Sequence, residues 1–88
     1  MEIRIDSEKL LERAQGQQYL KEQFGFPDYY GENLDALYDL LTEITEKTEI
    51  YYAGNAHKKD GGQEAKRVLE ILLYAAEENE NISIREEE

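Results

Sequence analysis

Along Glu2-Ile-Arg-Ile5 polar and apolar side chains alternate, the period of a short strand with one buried face. The period then lengthens. Asp6 or Ser7 can cap a helix whose apolar side is Leu10, Leu11 and Ala14. Gly16 interrupts this stretch: it either kinks one helix or separates a first turn from a second helix carrying Tyr19, Leu20 and Phe24. Gly25-Phe26-Pro27-Asp28 reads as a stop, since glycine suits a left-handed C-cap and proline cannot occupy a helix interior. Asn33 is a candidate N-cap for a helix reaching Ile44. Within it Leu34, Leu37, Leu41 and Ile44 are spaced 3, 4 and 3 apart and share one stripe.

Thr48-Glu-Ile-Tyr-Tyr-Ala53 has the composition of a strand. Gly54 to Gly62 is polar and glycine-bounded, the signature of an exposed loop. Gln63 to Glu78 is the clearest helix, with Ala65, Val68, Leu69, Leu72, Leu73, Ala75 and Ala76 on the helical period. Asn79 to Asn81 end it, Ile82-Ser-Ile84 alternates as a last strand, and residues 85–88 read as a solvated, frayed acidic tail. Strands joined by helical crossovers are parallel. The expectation is one α/β domain over residues 1–88: a small three-stranded parallel sheet packed with three to four helices, without repeats or linkers.

Composition narrows what such a domain can do. Eighty-eight residues suffice for one core but not for a cleft between two lobes. With no cysteine, disulfides, thiolate metal sites and cysteine catalysis are excluded. The opening Met-Glu-Ile-Arg-Ile-Asp lacks the basic and apolar regions of a leader, and no apolar run nears the roughly 18 residues that span a bilayer. A cytoplasmic protein is expected. Its formal net charge is −11, which repels nucleic acid and anionic lipid and favours a basic partner.

That charge is unevenly placed. From Asp28 to Glu46 there are six carboxylates and no lysine or arginine. Asp35, Asp39 and Glu43 recur every four residues, so they form one slanting row, each step about 6 Å along the helix and about 40° round it. Like charges at this spacing cost a helix a few tenths of a kcal/mol per pair, and Glu43 stands at the end the dipole disfavours. A local rule broken without local compensation marks a candidate recognition surface. Tyr38 borders the row. Tyr29 and Tyr30 lie on the turn leading into it, where Gly31 permits conformations that larger residues resist. Tyr30 is assigned to the core, Tyr29 and Tyr38 to the outside, where tyrosine suits a protein interface.

The run Phe26-Pro-Asp-Tyr-Tyr-Gly-Glu-Asn-Leu-Asp-Ala-Leu-Tyr-Asp39 resembles the signature of the barstar family, intracellular inhibitors of barnase-type ribonucleases. The match is ungapped over about twenty residues, roughly 24 to 44, and the order of elements agrees along the whole chain. The resemblance implies a barstar-like fold in which the acidic helix and the preceding loop enter the nuclease active site. By position the partner-binding residues would be Tyr29, Gly31, Asn33, Asp35, Tyr38, Asp39, Thr42 and Ile44. Asp39 would fill a phosphate position, Asp35 would support it one turn away, and Tyr29 would pack on the catalytic histidine. No cofactor, metal or catalytic residue is implied, and the partner would be a basic, extracellular-type ribonuclease bound by a monomer. Four positions depart from the pattern. Tyr38 and Ile44 stand where barstar has tryptophan, Tyr74 where it has a contact glutamate, and Glu43 where it has a small residue.

Other classes fit less well. Asp35 and Asp39 as acid and base would need a pocket to separate their pKa values, and a convex helix offers none. Mg²⁺ or Ca²⁺ wants oxygens converging from several directions. His57, Lys58 and Lys59 read as solvated loop residues, and Gly61-Gly62 lacks the context of a phosphate loop. The alternative that uses the same surface is an acidic adaptor for some other basic protein.

Overall fold

In the computed structural model, which describes residues 1–87, the strands are β1 (Glu2–Asp6), β2 (Thr48–Ala53) and β3 (Ile82–Glu87). They form one parallel sheet in the order β1-β2-β3, so β2 is central. Alternation sets the register. Ile3 and Ile5 of β1 face inward opposite Ile50 and Tyr52, while Thr48 and Ile50 pair with Ile82 and Ile84. Glu2, Arg4 and Asp6 take the other, exposed side. The expected α/β architecture is present.

The helices fill the two crossovers. Between β1 and β2 lie a 3-10 turn (Ser7–Leu10), α1 (Arg13–Phe24) and α2 (Leu34–Thr42); between β2 and β3 lie a short turn (Ala56–Lys58) and α3 (Gln63–Glu78). Ile5, Leu10, Leu20, Leu37, Leu41, Ile50, Tyr52 and Leu72 are fully buried where helices meet sheet. Burying each such side chain contributes about 1.5–3 kcal/mol. α2 packs on α3 through Leu37 and Leu41, which turns its opposite side to solvent.

The first helical stretch is broken, but not at Gly16. Asp6 Oδ1 accepts from Glu8 N at 3.0 Å and caps the 3-10 turn; the Glu12 carboxylate then accepts from Ala14 N and Gln15 N at 3.1 and 2.9 Å and caps α1. The break is therefore at Leu11-Glu12, and Leu11 and Ala14 are exposed rather than core. Gly16 lies inside α1, where a Cβ would come within 3.3 Å of the Leu10 Cα. Glycine there lets the turn and the helix touch. Gly25, with φ 67°, ends α1 in the left-handed conformation, as its position predicts.

Two further expectations change. Residues 85–87 are strand and not frayed tail, because β2 is long enough to continue the ladder: Tyr51, Tyr52 and Ala53 pair with Arg85, Glu86 and Glu87, Gly54 N donates to Glu87 O at 2.7 Å, and Arg4 meets Glu87 at 3.0 Å. Glu88 lies outside the described residues. His57 is half-buried, its ring edge-on to Tyr52 at 5.2 Å and its Nδ1 enclosed without a hydrogen-bond partner among the described residues. The loop turns inward there because Ala56 is fully buried and its N–H donates to Ser7 Oγ at 3.2 Å. Lys58 and Lys59 are exposed as expected, with Lys59 bonded to Glu8. Among the described residues no helix is long and apolar enough to cross a membrane.

Candidate functional site

The loop between α1 and α2 is anchored from inside. Phe24 and Phe26 stack at 5.0 Å between ring centroids, and Phe26 meets the tilted ring of Tyr30 at 4.8 Å. Such aromatic pairs contribute about 0.5–1.5 kcal/mol beyond their buried area. Tyr30 N donates to Pro27 O at 2.9 Å, and the Tyr30 hydroxyl donates to Gln17 of α1. Tyr30 is thereby core, and its neighbour Tyr29 is thrust out, 78% exposed.

Asn33 connects this loop to the helix. Its Oδ1 accepts from Ala36 N at 2.8 Å, the N-cap bond, while its Nδ2 donates to Gly31 O at 3.2 Å. Between them Glu32 has φ 54°, a left-handed conformation that a non-glycine residue adopts only at a cost. One side chain thus fixes the start of α2 and the carbonyl of the loop residue two positions earlier.

Along α2 the row forms as the spacing predicts. Asp35, Asp39 and Glu43 are exposed, and among the described residues none of them pairs with a lysine or arginine. Five of the chain's ten bases pair with other acids: Arg13 and Arg67 with Glu64, Arg4 with Glu87, Lys59 with Glu8, and Lys21 with Asp28 at 3.6 Å. Asp28, the first acid of the run, does gain a cation, Lys21.

Asp39 sits on a ridge between two depressions. One, of about 560 Å³, lies over the α2–α3 seam and is walled by Tyr38, Ile71, Tyr74 and Glu78. The other, of about 200 Å³, is bounded by Tyr29, Gly31 and Glu43. Both include Asp39. Tyr38 is half-buried rather than fully outside, leaning into the first depression. Thr42 and Ile44 are also half-buried; the Thr42 hydroxyl donates to Asp39 O at 2.9 Å, and Ile44 packs against the core.

Six of the eight expected positions line a depression or cap the helix, while half-buried Thr42 and Ile44 do neither. Ile71 and Glu78 come to the same surface from α3 and were not among the expected residues. Exposed Tyr74, at 59%, is the signal that marks this side of α3. Among the described residues no three acidic or histidine side chains are grouped to hold a metal ion.

A family model described as "Barstar (barnase inhibitor)" matches residues 1–86. A Bacillus subtilis (strain 168) protein named "Putative ribonuclease inhibitor YrdF" is 41% identical over 61 residues, 67% of this chain and 67% of that protein.

Proposed function

The chain belongs to the barstar family, whose members are ribonuclease inhibitors and not enzymes, and from that premise we propose that it blocks a barnase-type ribonuclease by seating α2 and the preceding loop in the enzyme's basic groove. One observation carries the reading: Asp39 is exposed, lacks a cation of its own among the described residues, and projects between two depressions that a complementary surface can enter. A ribonuclease must gather phosphates with cationic side chains. A row of carboxylates offers those side chains a substitute for the RNA backbone.

In this reading Asp39 takes the place of a substrate phosphate, Asp35 supports it from one turn away, and Tyr29 lays its ring on the enzyme's catalytic histidine. Gly31, Asn33, Tyr38, Thr42 and Ile44 complete the contact. Enclosing Asp39 is costly unless donors surround it, so the surface selects for a matching cationic pocket. Attraction between opposite fields also speeds encounter. No bond is made or broken. The free protein acts as a cytoplasmic monomer that keeps the enzyme from reaching RNA.

The test is RNA cleavage by a barnase-type ribonuclease titrated with this protein. Loss of activity at one equivalent, relieved by Asp39→Ala in a variant that still folds, supports the proposal. Undiminished cleavage at micromolar inhibitor and low ionic strength overturns it and favours a different basic protein as partner.

A further inference from the structure

We infer that Asn79 is a positioning residue for the partner-facing helix: its side-chain amide holds the last turn of α2, and with it the acidic row, in place from the far side of the core. The inference rests on the inhibitory role proposed for α2.

The C-terminal end of α2 is poorly made by its own sequence. The helix has nine residues, its last turn contains no basic side chain, and Glu43 stands at the negative end of the dipole. No left-handed glycine closes it; Glu43 is itself the C-cap, in right-handed helical conformation. The bonds that finish it are long, 3.2 Å from Glu43 N to Leu40 O and 3.3 Å from Ile44 N to Leu41 O. An isolated helix this short is marginal in water. Something else must fix the turn that carries Glu43 and follows Asp39.

Asn79 does so from the α3–β3 junction. Its Nδ2 donates to Leu41 O at 3.0 Å and to Ile44 O at 2.9 Å, using both amide hydrogens. Its own position is over-determined: Asn79 N donates to Ala75 O at 2.8 Å, its carbonyl accepts from Ile82 N at 3.0 Å, and its Oδ1 accepts from Asn81 N at 3.0 Å. Asn81 Nδ2 adds a second donation to Ile44 O at 3.3 Å. Asn79 is 8% exposed and stands on the inner side of α2, away from the partner. Binding surfaces lose affinity when supporting residues let them shift by about half an ångström. Asn79 is such a support.

The experiment compares Asn79→Ala and Asn79→Asp with the unaltered protein. Asp keeps the outline and the acceptor for Asn81 N but cannot donate to α2. In the free proteins, amide hydrogens of residues 42–44 are expected to exchange about tenfold faster while those of β2 keep their protection. Against a barnase-type ribonuclease, the inhibitory stoichiometry stays at one while dissociation quickens about tenfold. In an Asp39→Ala background that effect shrinks below about twofold, since coupled residues are not additive. Unchanged exchange at residues 42–44 overturns the inference. So does a weaker inhibition wholly explained by a smaller folded fraction, or an equal effect with Asp39→Ala. Should Asn79→Ala not fold, Asn81→Ala must give the same pattern at smaller amplitude. Failure of the unaltered protein to inhibit overturns the proposed function instead, and the exchange pattern then decides the role of Asn79 in α2 by itself.

Discussion

The hydroxyl of Tyr30 donates to the side-chain oxygen of Gln17, and both residues are buried. The loop that displays Tyr29 and Gly31 is thus bolted to α1 from within. Tyr30→Phe leaves Gln17 enclosed without its partner and is expected to destabilise the fold by about 1–3 kcal/mol. Adding Gln17→Leu should recover part of that loss, because replacing both partners by apolar groups removes the unmet polar group. Urea unfolding at neutral pH measures both variants.

The same burial shapes the alkaline limit. Enclosure pushes the Tyr30 phenol up to about 12, with the nearby Glu32 charge adding to the effect. Tyr52 is likewise pushed up to about 12 by burial and then by Glu86, while its hydrogen bond to Ser7 acts in the opposite sense. Both values lie above the ordinary 10.0 that the unfolded chain shows. The stability these phenols contribute is full below pH 10.0 and is lost as pH rises through about 12. Unfolding followed by circular dichroism should therefore become easier over that window, and Tyr30→Phe should lessen the slope.

Asp39 should separate stability from binding. Among the described residues it has no cation to lose, and it lies at i,i+4 from both Asp35 and Glu43. Asp39→Ala is expected to leave thermal stability unchanged or raised by a few tenths of a kcal/mol, and Asp39→Lys to raise it further by creating two favourable pairs. Both should abolish inhibition at one equivalent, Asp39→Ala leaving a weaker complex that forms at higher concentration. A marked fall in melting temperature for either would mean that Asp39 has a structural role.

Removing the cap costs stability instead. Asn33→Ala takes away the acceptor for Ala36 N and the donor to Gly31 O together. A cost of about 1 kcal/mol is expected, which for a domain of this size lowers the melting temperature by about 4–8 °C. Asn33→Asp keeps the acceptor and should recover most of the stability.

The sequence was most informative where a single element decides the outcome. The 3, 4, 3 spacing of Leu34, Leu37, Leu41 and Ile44 placed the buried side of α2 and so the acidic side, and Asn33 and Gly25 marked a start and a stop correctly. It was least informative where distant segments decide. Gly16 looks like a breaker, but it lies within the helix where Leu10 comes so close that a Cβ would crowd it. The polar surroundings of His57 concealed that Ser7 draws the neighbouring Ala56 inward. Arg85 to Glu87 have the composition of a tail, and only the length of β2 makes them strand. Of the candidate site, the motif marked α2 and its loop. Ile71, Glu78 and Asn79 come from the other crossover, and nothing in their local pattern points to α2.

The unpaired row on α2 has one more consequence. Its three carboxylates repel one another when the protein is alone and, in the proposed complex, would attract the enzyme's cations. Dissolved electrolyte weakens both effects, since exposed charges are screened over about 10 Å at 0.1 M. Rising potassium chloride should thus firm the solitary chain while loosening its complex, two trends of opposite sign from the same three side chains.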